Sequence, residues 1–104
     1  MKIIPIMSEE ELTKFYLQNY KQDIFLKFLY EECNKRIISY YETESSVYFG
    51  QFIESRSIFN NYILCKYGFM LSQVNLTNYF CNLNNLDFNS FYGNLYYITN
   101  EINS

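Results

Sequence analysis

The stretch LTNYFCNLNNLDFNSFYGNLYYI, residues 76–98, contains one pattern written twice. The copies begin at Leu76 and at Phe88, and each places apolar residues at positions i, i+3, i+4, i+7 and i+10 with an Asn at the same place. This spacing puts the apolar residues on one face of an α-helix, so the stretch predicts two short amphipathic helices. The predicted inward faces are Leu76, Tyr79, Phe80, Leu83 and Leu86 in the first copy, and Phe88, Phe91, Tyr92, Leu95 and Ile98 in the second.

The C-terminal segment that holds this repeat, 67–104, has very little charge. It contains no Lys or Arg and only two acids, Asp87 and Glu101. A large apolar surface left in water would invite aggregation. We therefore expect this segment to be covered by the rest of the chain, by a second copy in a homodimer, or by a protein partner.

A capping box predicts the first helix. Ser8 can accept a hydrogen bond from the backbone N–H of Glu11, and the Glu11 side chain can reach back to the N–H of Ser8. A second helix is predicted from Asp23 to Tyr41 after a weak break at 19–22, and one continuous helix from Ser8 to Tyr41 is the alternative. The apolar face predicted for the second helix consists of Phe25, Leu26, Leu29, Cys33, Ile37 and Tyr40.

The segment 47–67 is ambiguous. Its apolar residues keep helical spacing, and Gly68 stands where a helix C-cap belongs. The aromatic and β-branched residues at 47–53 also suit a strand, but no Gly, Pro or Asn-Gly marks a turn at 54–57. We predict a single domain, 1–104, that is an all-α, compact antiparallel bundle of four to six helices. The alternative is α+β with a hairpin at 46–66.

The residue inventory argues against an enzyme. The chain has no His, so the commonest general base and metal ligand is missing. The three cysteines, Cys33, Cys65 and Cys81, have neither disulfide nor metal spacing and are expected to be buried small hydrophobes. The three glycines stand alone and form no phosphate-binding loop. We expect no catalytic residues, no cofactor and no metal.

Charge and hydropathy narrow the range of partners. The net charge is −3 and there is no basic stripe, which argues against direct binding to duplex nucleic acid. The uncharged stretch 67–86 is interrupted by Ser, Gln, Asn and Thr, so it is not a membrane span. We expect a cytoplasmic protein.

Some apolar side chains do not fit the inward faces on a helical wheel. They lie away from the main stripe of their own helix, and exposed aromatic residues are typical anchors of protein interfaces. The candidate partner-binding residues are Tyr96, Tyr97, Tyr62, Ile58 and Phe28.

The expected function is therefore that of a small, non-catalytic protein-binding module. Small, acidic chains without catalytic residues, from coding sequences poor in G and C, are common among phage-encoded proteins that block host machinery. By this analogy of composition, a viral inhibitor of a host defence complex, of the anti-CRISPR kind and acting by surface occlusion, is the most concrete expectation. The alternative is a nucleic-acid-associated regulatory protein.

Overall fold

The computed structural model of the protein describes residues 5–91. This part of the chain forms four α-helices, α1 (Glu9–Asn19), α2 (Ile24–Thr43), α3 (Ser46–Tyr67) and α4 (Gln73–Leu83). Helical backbone resumes at Phe88 and continues to Phe91, the last described residue. The fold is an all-α bundle, as the sequence predicts, and α3 replaces the alternative hairpin at 46–66.

The helix starts follow local capping chemistry. The capping box of α1 is present, with the Glu11 N–H donating to Ser8 Oγ at 3.2 Å and the Ser8 N–H donating to Glu11 Oε1 at 3.3 Å. The break after α1 is real, because Asp23 caps a new helix by accepting from the Leu26 N–H at 3.0 Å. The single helix from Ser8 to Tyr41 is therefore not adopted.

The long helices α2 and α3 form an antiparallel hairpin. The start of α2 meets the end of α3, where Lys66 lies 2.9 Å from Asp23, while Tyr40 contacts Phe49 at the other end. Gly68 ends α3 in the left-handed region with φ 79°, where a residue with a Cβ would be strained.

The segment after Gly68 pairs with the chain before α1. The Met7 N–H donates to the Met70 carbonyl at 2.7 Å, and the Met70 N–H donates to the Pro5 carbonyl at 3.0 Å. This short parallel bridge ties the start of the described chain to the α3–α4 connection.

Aromatic rings fill the centre of the bundle. Phe80 of α4 is fully buried, and its ring centroid lies 5.2 Å from that of Tyr30, 6.1 Å from Phe59 and 6.4 Å from Phe52. Leu76 is also fully buried. The first copy of the repeat thus closes the bundle over the α2–α3 hairpin.

Only some of the core residues predicted from the repeat are buried. Leu83, predicted to face inward, is half exposed because α4 ends at this residue and the chain turns away at Asn84. Of the second copy, Phe88 is half-buried and Phe91 is fully buried. Three further members of that copy, Tyr92, Leu95 and Ile98, lie outside the described residues.

One sequence expectation is wrong for Cys65, and one buried charged residue, Arg56, was not predicted. Cys33 and Cys81 are buried as expected, but Cys65 is exposed because it points away from the core stripe of α3. Arg56 is buried and donates to Thr77 Oγ1 and to Gln73 Oε1, each at 2.7 Å, so that it joins α3 to α4.

Candidate protein-binding face

Six large apolar side chains of the α2–α3 hairpin are exposed. Val47 and Tyr48 lie at the start of α3, and we call the other four the α2–α3 apolar face. Their exposed fractions are 79% for Ile24, 54% for Phe25, 54% for Phe28 and 43% for Ile58. The Phe25 ring centroid lies 6.4 Å from that of Phe28 and 5.1 Å from that of Tyr62 on α3. Ile58 lies one helical turn before Tyr62. The Phe25, Phe28 and Tyr62 rings therefore form one connected apolar surface across the two helices.

The width of the apolar stripe on α2 explains why this surface is exposed. The core takes Leu26, Leu29 and Cys33, which share one side of the helix. Phe25 precedes Leu26 and so lies about 100° around the helix from it. The prediction that Phe25 belongs to the core face is wrong, because the stripe is wider than the surface that the bundle covers.

A cluster of hydrogen bonds around Asp23 fixes one end of the hairpin. Besides capping α2, the Asp23 carboxylate accepts from the Tyr62 hydroxyl at 2.8 Å and from the Tyr67 hydroxyl at 2.6 Å. Lys66 Nζ donates to the same carboxylate at 2.9 Å. We call Asp23 with these three donors the Asp23 network. It joins the first residue before α2 to the last two turns of α3.

The Asp23 network is charged and ordered near neutral pH. Burial of Asp23 acts to raise its pKa, but hydrogen bonds from Tyr67, Lys66, the Leu26 N–H and Tyr62 outweigh burial and hold the pKa well below its usual range. Burial and the bond to Asp23 raise the pKa of Tyr62 and of Tyr67, and the bond to Asp23 raises the pKa of Lys66. Tyr62, whose ring supports Phe25, is therefore held in place as a donor.

A polar rim borders the α2–α3 apolar face towards the other end of the hairpin. Arg36 Nη2 lies 3.2 Å from a Glu32 carboxylate oxygen, and Arg36 Nη1 donates to Ser55 Oγ at 2.6 Å. On the outer side of α2, Lys27 lies 4.0 Å from Glu31. An apolar centre bordered by charged groups is the usual layout of a protein interface.

The structure brings three of the five predicted partner-binding residues together. Phe28 and Ile58 are exposed on the α2–α3 apolar face, and Tyr62 is half-buried beside it with its hydroxyl bonded to Asp23. Tyr96 and Tyr97 lie outside the described residues.

Sequence reasoning missed Phe25 as part of the face and Asp23 as its anchor. A helical wheel places Phe25 at the edge of the core stripe, and that position is the signal that could have identified it. Nothing in the local sequence around Asp23 indicates the three donors, which come from α3.

Comparison of the chain with protein-family models, with curated proteins and with solved structures gave no match. Within residues 5–91, no helix combines the length and the apolar character needed to cross a membrane. The same part of the chain contains no group of three or more Cys, Asp or Glu residues that could hold a metal ion.

Proposed function

We propose that the protein is a small, non-catalytic protein-binding module and that the α2–α3 apolar face is its contact surface. The observation that carries this proposal is the pair Phe25 and Phe28, which lie side by side and are each about half exposed. Isolated exposed apolar residues are common, but a cluster with a polar rim is typical of a docking surface.

The size of the face suits the centre of an interface. A Phe side chain offers roughly 200 Å² of surface, so the two rings leave on the order of 200 Å² in water. Covering that area would contribute about 5 kcal/mol at 25 cal/mol per Å². A stable interface buries about 800 Å² on each partner, of which a few central residues supply most of the energy.

Rigidity of the hairpin favours tight binding. The Asp23 network holds Tyr62 against Phe25, and Arg36 joins α2 to Ser55 of α3. A surface that is ordered before binding loses little conformational entropy when a partner covers it.

The specific form that we propose is an inhibitor of a host defence complex, of the anti-CRISPR kind, encoded by a phage and acting in the cytoplasm by surface occlusion. Its support is compositional: a chain of 104 residues, a net charge of −3 and no His. Such an inhibitor needs no catalytic group, because covering a functional surface is sufficient. A second copy of the chain is the alternative occupant of the face and would make a homodimer.

Affinity capture from the native host tests this proposal, with light scattering coupled to size exclusion to detect self-association. We expect Phe28→Asp to abolish partner capture or to dissociate a dimer. Leu17→Asp is the matched control, because Leu17 is 63% exposed on α1 and lies outside the face. Equal capture and an unchanged molar mass for both variants would contradict the assignment of the face.

A further inference from the structure

The α2–α3 apolar face lies at a positively charged end of an acidic protein. Residues 20–31 and 58–68, which carry the face, contain three Lys and two acids, so their net charge is +1. The other end of the hairpin, residues 32–57, has three basic and four acidic residues and a net charge of −1, and the whole chain has a net charge of −3. The charge around the face is therefore opposite in sign to that of the molecule.

Lys66 is the cation on the α3 side of the face. Its Nζ lies 5.7 Å from the ring centroid of Tyr62, the ring that contacts Phe25. Two N–H groups of the Lys66 ammonium donate to Asp23 and to the Tyr62 hydroxyl, and the third has no acceptor among residues 5–91. Because half of the Lys66 side chain is exposed, a carboxylate of a partner can reach this ammonium group.

Two further lysines lie near the exposed start of α2. Lys27 follows Ile24 by about one helical turn and precedes Phe28 by one residue. It lies 4.0 Å from Glu31, but the two side chains are 48% and 61% exposed, and such a pair contributes little. Lys21, in the turn before α2, is exposed and has no ion pair in the described part of the chain.

These charges disfavour a second copy of the chain as the occupant of the face. A twofold axis places the same patch of each copy against the other. The ammonium groups of Lys21, Lys27 and Lys66 would then face those of the second copy. The only exposed carboxylate within residues 20–31 and 58–68 is that of Glu31, so like charges would meet and weaken the contact.

Three lysines are also few for an anionic lipid surface. Segments that bind such surfaces carry about four to eight Lys or Arg, and the rest of this chain is negatively charged. A protein segment with a few carboxylates beside its apolar side chains needs no more than three cations.

We propose that the α2–α3 apolar face binds an acidic segment of a partner protein, in which Asp or Glu residues flank large apolar side chains. The inference rests on the proposed function, because it concerns the same face. The apolar side chains of the partner would pack on Phe25 and Phe28 and supply most of the affinity, as central anchors do. The carboxylates would face Lys27 and Lys66, which speeds association and excludes basic partners.

Selection from a random peptide library displayed on phage tests the chemistry of the partner, with the intact protein as bait and the Phe28→Asp variant for counter-selection. We expect the selected peptides to combine Leu or aromatic residues with several Asp or Glu. A synthetic peptide of the selected consensus then serves as the probe in fluorescence anisotropy, beside a copy in which Asn and Gln replace Asp and Glu. The copy should bind about tenfold more weakly, and the affinity of the acidic peptide should fall as the salt concentration rises.

Matched charge reversals complete the test. Lys27→Glu should weaken binding of the acidic peptide about fivefold, because an exposed attraction becomes a repulsion. Lys14→Glu is the control, since Lys14 of α1 forms the same kind of exposed pair, with Glu10 at 3.9 Å, and lies outside the face. It should leave binding unchanged, and circular dichroism verifies that each variant is folded.

Several results would overturn the inference of an acidic partner and leave the face itself in place. They are a selection that yields no peptide or a consensus without acids, equal affinity of the acidic and neutral peptides, and equal effects of Lys27→Glu and Lys14→Glu. Binding to phosphatidylserine vesicles that Phe28→Asp abolishes would favour a lipid surface instead, and a dimer that Phe28→Asp dissociates would favour a second copy. The proposed function fails on a different result, which is capture of the cellular partner that Phe28→Asp leaves unchanged.

Discussion

Replacing Asp23 tests whether the Asp23 network holds the α2–α3 hairpin together. Two substitutions separate its parts. Asp23→Asn keeps a good N-cap and one acceptor oxygen but removes the charge, whereas Asp23→Ala removes the cap and the acceptor for all three donors of α3.

The loss in free energy of unfolding depends on which hydrogen bonds each substitution removes. Loss of the N-cap costs about 1 kcal/mol. Hydrogen bonds to a charged group contribute about 1.5–3 kcal/mol each, and those from Tyr62 and Tyr67 fall at the low end because both residues are only half-buried. The cap and the two tyrosine bonds together give about 4 kcal/mol for Asp23→Ala, and the pair with Lys66 adds little because the Lys66 side chain is half exposed. We expect Asp23→Asn to cost about 1–2 kcal/mol.

The lowered pKa of Asp23 sets the sign of the pH dependence. In the folded protein its carboxylate stabilises the fold fully above the unfolded pKa of about 4 and loses that effect as the pH falls below it. Urea unfolding followed by far-UV circular dichroism at pH 7, pH 5 and pH 3 measures both effects. The wild type should lose more stability than Asp23→Asn between pH 5 and pH 3. Equal stability of the wild type and both variants at pH 7 would refute a structural role for the network.

Three further predictions concern the core, the face and nucleic acid. In urea unfolding, Phe80→Ala should lower the free energy of unfolding by about 3–5 kcal/mol because Phe80 is fully buried. Leu83→Ala should lower it by less than about 1 kcal/mol because Leu83 is half exposed. Similar losses for the two variants would place Leu83 in the core. Phe28→Asp should change the free energy of unfolding by no more than about 0.5 kcal/mol, and a large loss would show that the ring is needed for folding. Fluorescence anisotropy should detect no tight binding to duplex DNA at physiological salt, and salt-resistant binding would favour the alternative of a nucleic-acid-associated regulator.

Local rules predicted the helices well because their signals lie within a few residues of each other. The capping box at Ser8 and the C-cap at Gly68 both occur where they were expected. The helical spacing of 47–67 also outweighed its strand-like composition, since α3 runs through the whole segment.

Tertiary contacts account for what the sequence did not predict. Periodicity places Phe25 and Leu83 near an apolar stripe, but only the packing of the other helices decides which edge of the stripe is covered. Asp23 is recognisable as a helix cap, whereas its partners Tyr62 and Tyr67 are brought to it by the antiparallel hairpin. The burial of Arg56 likewise depends on Thr77 and Gln73 of a later helix.

Site-specific photo-crosslinking tests most directly whether the α2–α3 apolar face binds a protein. A benzoylphenylalanine residue would replace Phe28 or, as the control, Leu17, in cells where the gene is naturally expressed. The probe at Phe28 should give one discrete adduct, with a partner protein or with a second copy, and Phe25→Asp in the same chain should abolish it. Absence of an adduct at Phe28, or the same adduct from Leu17, would contradict binding through this face.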